Sequence, residues 1–252
     1  MRDRPVQRFR PGRPLYIGQV KAVLYKDAPG VPVVDLFSDA PTCDPKASAY
    51  LLAAYSSGFP ENCVFLSVVD PGVGGNRSPV VLRTADHWFV GPDNGLFEPL
   101  IRRASASVST WIIRWRPKKL SETFHGRDLF APVAARIARG DFPRQGGNKD
   151  FESVSPEVLR RQDWPDDLAE IVYIDHFGNT ITGLRSSTLQ RGQTLAVNGK
   201  TILLAKTFTS VAPGDMFCYE NSNGLMEIAV NKGRGSDVVG IEVGAAVEIA
   251  EL

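Results

Sequence analysis

Hydrophobic positions along the chain fall into two regimes. Over the first two thirds, short β-branched runs alternate with stretches whose apolar residues recur at helical spacing, the pattern of a sheet covered by helices. Val31 to Phe37, Val64 to Val69 and Val80 to Arg83 predict strands. Ala47 to Tyr55, Leu96 to Arg103 and Leu129 to Arg139 predict helices, the last closed by Gly140. From Asp141 to Leu168 the chain turns polar and carries Pro143, Gly146, Gly147, Pro156 and Pro165, which reads as a linker. Beyond it, Ile171 to Ile174, Thr194 to Val197, Thr201 to Leu204, Met216 to Tyr219, Leu225 to Val230 and Val243 to Ile249 form short β runs split by glycine-rich turns. The expected fold class is α/β: an N-terminal α/β domain with a mainly parallel sheet over residues 1–165, then a small C-terminal antiparallel β-barrel domain over residues 166–252.

Composition narrows the partners. Lys plus Arg total 29 against 28 Asp plus Glu, a net charge of +1, so no nucleic acid or membrane surface is implied. The cysteines, Cys43, Cys63 and Cys218, are odd in number and lack C-x-x-C spacing, which fits a reducing, cytoplasmic setting. No apolar run approaches the ~20 residues of a membrane span, and no signal-peptide core follows the basic N-terminus. His87, His125 and His176 are far apart and show no metal-ligand spacing, so no metal is expected.

Polar clusters sit at the ends of the apolar runs, where ligands of open α/β sheets bind. Val68-Val69-Asp70-Pro71-Gly72-Val73-Gly74-Gly75-Asn76-Arg77 delivers a carboxylate and a guanidinium to one sheet edge. That pair could equally be a structural ion pair closing a turn. Gly91-Pro92-Asp93-Asn94-Gly95 suits plain turn chemistry, and His125, before Gly126-Arg127-Asp128, could be a structural residue at a helix start. Asp175-His176-Phe177-Gly178-Asn179 and Asn221-Ser222-Asn223-Gly224 close strands further on. The glycines 72, 74 and 75 hint at a phosphate loop, but neither a Walker lysine nor a complete G-x-G-x-x-G accompanies them.

Taken together and in this order, VVDPGVG, VGPDNGL, TFHGRDLFAPVAA, IDHFGNTIT and ENSNGLMEIAVNKG resemble one family. The chain is similar to the S-adenosyl-L-methionine hydroxide adenosyltransferases, the hydrolase branch of a group that includes fluorinating and chlorinating enzymes. The resemblance implies cleavage of S-adenosyl-L-methionine by water at the ribose C5′, without a cofactor. It also implies a homotrimer whose sites lie between the first domain of one subunit and the second domain of its neighbour. By the same matching, Asp70, Arg77 and His125 hold the attacking water, with Arg77 keeping Asp70 ionised and either Asp70 or His125 taking the proton. Asp175 and Ser222 hold the methionine end, Asn179 reads the adenine edge, Phe177 and Phe208 pack on its rings, and Val230 and Asn231 offer backbone contacts. Asn223 stands where the halogenating enzymes have arginine. Those enzymes carry tyrosine at the position of Asp70, a hydroxyl residue near Val73 and an aromatic residue at the position of Cys43, so hydrolysis is expected here rather than halogenation.

One departure stands out. The family begins with an apolar strand ending in Thr/Ser-Asp-Phe-Gly, whose aspartate holds the ribose hydroxyls. Arg4 to Pro14 instead carries Pro5, Pro11 and Pro14 among Arg4, Arg8, Arg10 and Arg13, which excludes a buried central strand. If codons are formed from the last two bases of each residue and the first of the next, Val6 to Pro14 can be reread as Phe-Ser-Asp-Phe-Gly-Pro-Glu-Gly-Pro, with Leu before it. A frameshift restored near Leu15 is therefore expected. Two further readings stand beside hydrolysis: a catalytically inactive adenosine- or S-adenosyl-L-methionine-binding homologue, favoured if the N-terminus is native, and a structural trimer without ligand, which requires the polar clusters to be coincidental.

Overall fold

The computed structural model describes residues 15–104, 106–143, 146–239 and 242–251. The opening segment, with its reread motif, lies outside them. The first sheet contains β1 (Val64–Leu66), β2 (Pro79–Arg83), β3 (Trp88–Pro92), β4 (Ser109–Ile113) and β5 (Phe151–Val154), in the order β1-β3-β2-β4-β5. Only β1 and β3 run parallel. The expectation of a mainly parallel sheet is corrected by connection length. Thr84 to His87 joins β2 to β3 as a tight hairpin, with the Thr84 N–H donating to the His87 carbonyl at 2.9 Å. A parallel pair needs a crossover of a dozen residues or more.

Val80 and Leu82 of β2 pack with Phe65, Phe89, Ala49 and Leu52 on one face. Val81 faces the other way, with Val90, Trp111, Val133, Ala134 and Ile137. Covering both faces are α1 (Leu15–Asp27), α2 (Pro45–Tyr55), α3 (Glu98–Arg102) and α4 (Ala131–Ala138). Asp44 caps α2 by accepting the Ala47 N–H at 2.9 Å. A single π turn, Gly126–Phe130, leads into α4. The run Val31 to Phe37, expected as a strand, joins no sheet among the described residues and lines a cleft. The expected linker contains β5, because Phe151 is fully buried and seats that segment beside β4.

The second region begins with β6 (Leu168–Ile174) and continues through β7 (Thr180–Arg185), β8 (Gln193–Val197), β9 (Lys200–Thr201), β10 (Leu203–Leu204), β11 (Met216–Glu220), β12 (Leu225–Val230), α5 (Gly235–Val239) and β13 (Glu248–Glu251). The strands form a sheet β10-β11-β12-β7-β6 and a smaller sheet β13-β8-β9. Neither closes, so the expected barrel is corrected to two open sheets sharing a core of Ile171, Leu195, Val197, Cys218 and Ile228. The two-residue β10 offers too little backbone to bridge to β6 and complete a ring. Ala47, Tyr50, Leu51 and Ala54 of α2 pack on Leu168, Val172, Ile181 and Leu225, joining the two regions. Among the described residues no helix is long and apolar enough to cross a membrane.

Glu98 anchors the segment that links the regions. Its side chain is 1% exposed and meets Arg102 at 2.8 Å and Arg160 at 3.0 Å. Burial works against its charge, but hydrogen bonds from the Arg161 N–H, Arg160 and Arg102 prevail and hold its carboxyl below the ordinary 4.5. That stabilisation is present above the unfolded-state value and lost as pH falls through the folded one. Glu98→Ala should cost about 3 kcal/mol in urea unfolding at pH 7. Glu98→Gln should flatten the acid decline of stability, and a variant with the wild-type pH dependence would remove Glu98 from that role.

Candidate active site

Beyond β1 the chain runs without regular structure to Asp70 and then turns through Pro71 to Gly75 before β2. Gly74 sits at φ +79°, and a Cβ there would lie 2.6 Å from the Glu122 carbonyl oxygen. Glycine is therefore required both for the turn and for its close approach to the segment that ends in His125. The side chain of Asn94 donates to the Val69 carbonyl at 2.8 Å, which pins the backbone one residue before Asp70. Asp93 accepts from Arg161 at 2.8 Å. The second glycine turn thus acts as a brace for the first.

The structure brings Asp70, Arg77 and His125 together. Arg77 Nε donates to both Asp70 carboxylate oxygens, at 3.0 and 3.1 Å, and Nη2 donates to Oδ2 as well. The same Nη2 lies 2.7 Å from His125 Nδ1. The side chains of Arg77 and Asp70 are 10% and 5% exposed, and the guanidinium lies over the Phe130 ring. Since arginine has no acceptor, Nδ1 must accept, which places the proton of the neutral imidazole on Nε2. Burial, followed by the charge of Arg77, pushes His125 below its ordinary 6.5, against an opposing pull from Asp70. Arg116, which the motifs did not single out, adds to the depression from nearby. Asp128 does not join the cluster. Its carboxylate is used by Arg127 and by the Ser121 N–H, a local structural role.

A cleft of about 1070 Å³ ends at this cluster. Asp70, Val73, Thr123, Phe124 and His125 line it there, and Thr42 and Cys43 are also among its lining residues. None of the second-region candidates lines it. Asp175 and Asn179 hold one another across a turn: the Asn179 N–H donates to Oδ1 at 2.9 Å and its side-chain amide to Oδ2 at 3.2 Å. Between them Phe177 stands 70% exposed. Phe208 is partly exposed and packs edge-on against Phe217 and Tyr219. Ser222 sits in the β11–β12 turn, where Asn223 donates to it at 3.2 Å. Val230 is buried, and the Asn231 amide donates to the Val211 carbonyl at 2.8 Å.

Sequence reasoning missed Glu227. It is buried in β12, accepts from the Tyr219 hydroxyl and takes the Asn221 amide at 3.1 Å, bracing the turn that carries Ser222. The signal was a lone acid within the apolar run Leu225 to Val230.

The chain matches the SAM hydroxide adenosyltransferase N-terminal domain over residues 12–147 and the C-terminal domain over residues 169–248. It belongs to that family. It is 36% identical to a protein of Thermus thermophilus named (R)-S-adenosyl-L-methionine hydrolase, over 93% of this chain and 94% of that one. A fluorinase of an Actinoplanes species is more distant, 25% identical over 85% of this chain and 86% of its own length. Among solved structures, an uncharacterized conserved protein from Thermotoga maritima superposes with a TM-score of 0.81 at 29% identity, covering 93% of this chain and 95% of that one.

Burial, with the adjacent Arg77 charge adding to it, predicts a depressed His125. Its folded value is the lower one, so the stability tied to its neutral form is present above 6.5 and declines as pH falls below that value. By NMR, the imidazole should titrate below 6.5 and move upward in Arg77→Gln. An unmoved midpoint would show that the Arg77 charge adds nothing to the effect of burial.

Proposed function

We propose that the protein hydrolyses S-adenosyl-L-methionine to adenosine and L-methionine. The observation that carries this reading is the Arg77 bridge at the end of the cleft, which gives Asp70 and His125 different tasks. His125 presents Nε2–H and donates to the oxygen of a water; Asp70 accepts one of that water's protons. The water oxygen attacks C5′, the C5′–S bond breaks with its electron pair going to sulfur, and the proton passes through Asp70 to solvent. The leaving group is a neutral thioether, so no general acid is required and the main task is alignment. Charge on the sulfonium is cancelled as the bond breaks, so a site poor in bulk water favours the step. No cofactor enters this scheme.

The rest of the substrate belongs, in this reading, to Asp175, Phe177, Asn179, Phe208, Ser222, Val230 and Asn231 of a neighbouring subunit in a homotrimer. Its support is that these residues stand away from the cleft of their own chain, with Phe177 uncovered. The unpaired Cys43, Cys63 and Cys218 are in keeping with a cytoplasmic enzyme. No contact in the site favours a silent ligand-binding protein over an enzyme.

Incubation with S-adenosyl-L-methionine in chloride buffer, followed by chromatography, should yield adenosine and methionine; 5′-chloroadenosine would overturn the assignment of water as nucleophile. Asp70→Asn should lower kcat by about 100-fold or more while preserving adenosine binding. A near wild-type rate would exclude Asp70 as the base. Because each site draws on two subunits, Asp70→Asn and Phe177→Ala chains refolded together should regain activity at about a quarter of their sites. No regain would place each site within one chain.

A further inference from the structure

We propose that Glu227 is a positioning residue for the substrate: its buried carboxylate ties the Phe208 ring to the Ser222 turn, and so sets the span between the adenosine contact and the amino-acid contact of one subunit. This role rests on the hydrolase reading, which assigns Phe208 and Ser222 to substrate. The first observation is where the acid sits. Glu227 is 6% exposed within β12, where every other residue from Leu225 to Val230 is apolar and buried. Both groups that bond its side chain among the described residues are neutral, the Tyr219 hydroxyl and the Asn221 amide. A carboxylate held in the interior by neutral donors alone is destabilising, and leucine would suit the strand better by burial.

The second observation is what its two oxygens reach. β11 and β12 run antiparallel, with Tyr219 directly opposite Glu227. The Tyr219 hydroxyl donates to Oε1, and the Asn221 amide donates to Oε2 at 3.1 Å. One side chain thus closes a fork between a strand residue and the residue that opens the β11–β12 turn. No apolar side chain can do this, because the fork needs two acceptors.

Each arm of the fork leads to a residue assigned to substrate. On one side, the Tyr219 ring meets Phe208 edge-on with centroids 5.6 Å apart and stacks on buried Phe217 at 5.4 Å. Phe208 therefore rests on a ring whose hydroxyl end is anchored by Glu227. On the other side, Asn221 Oδ1 accepts the Asn223 N–H at 3.0 Å and the Leu225 N–H at 3.1 Å, closing the turn around Ser222. Rotation of that amide would forfeit both bonds, and Glu227 opposes it by holding Nδ2.

Asp175, the other residue assigned to the methionine end, stands near the same fork. Burial and then the Glu227 bond push the Tyr219 hydroxyl above its ordinary 10, and the Asp175 charge adds to the rise. The phenol is therefore the donor, and the carboxylate accepts at both ends. A ligand that uses both contacts feels the span that Glu227 sets, whereas adenosine uses one contact and does not. The effect of Glu227 consequently falls on the binding of the whole substrate, in KM rather than in kcat.

Calorimetry in Asp70→Asn chains, where turnover is suppressed, measures both ligands. There Glu227→Leu should raise the Kd for S-adenosyl-L-methionine about 10-fold or more and that for adenosine less than about 3-fold. Glu227→Gln can accept from Asn221 while its amide donates to a turned Tyr219 hydroxyl, so it should restore the first Kd to within about 3-fold of the parent value. With Asp70 in place, Glu227→Leu should raise KM and leave kcat within about 3-fold. Unchanged binding, or equal losses for the two ligands, overturns the proposal, the second by reducing Glu227 to a general support of the fold. If Glu227→Leu does not fold, Tyr219→Phe decides, since it keeps the ring and removes one donor: it should weaken S-adenosyl-L-methionine more than adenosine, and any other result overturns the role. A wild-type chain that binds S-adenosyl-L-methionine without releasing adenosine would overturn hydrolysis alone, whereas one that binds neither ligand would overturn both readings.

Discussion

One guanidinium organises the site. Arg77 spends its donors on both oxygens of Asp70 and on Nδ1 of His125, which fixes the separation of the two groups and the tautomer of the second. Neither consequence is available to a lysine, whose ammonium cannot span a carboxylate and a ring nitrogen in one plane. The surrounding structure serves this bridge. Gly74 lets the turn press against the Glu122 backbone, Asn94 holds the strand end at Val69, and Phe130 backs the guanidinium with its ring. A different residue at any of these places would act on Asp70 and His125 through Arg77.

The π turn before α4 belongs to the same design. An extra residue in a helical turn widens it, and such widenings recur at functional sites. Here it follows His125 directly and ends at Phe130, so the imidazole and the ring under Arg77 are set by one short irregular segment. Leu129 and Phe130 of this turn are both buried, which ties it to the core.

Much of this was legible in the residues, and the exceptions have identifiable causes. β2 and β12 are apolar almost throughout because both faces are covered, and α2 and α4 follow their helical periodicity. Asp70, Arg77 and His125 were readable because glycines flank them. Val31 to Phe37 was misread because β-branched residues favour extended backbone whether or not a partner strand exists. β5 was missed because one buried aromatic, Phe151, is a weak signal within a polar stretch, and α1 because none of its residues is buried. Sheet direction escaped as well, since it depends on how the Thr84 to His87 turn closes rather than on strand composition. Glu227 lay in plain view, but its partner Tyr219 is on the next strand, and only the β11–β12 register unites them.

Helix α2 is claimed by two cores at once. Ala49 and Leu52 belong to the first sheet, whereas Ala47, Tyr50, Leu51 and Ala54 belong to the second. A helix packed on opposite sides cannot adjust to one neighbour without disturbing the other, because interiors are close-packed. The two halves of the chain are therefore bound to a common history: swapping either half with that of a relative would succeed only if α2 travelled with matching contacts on both sides.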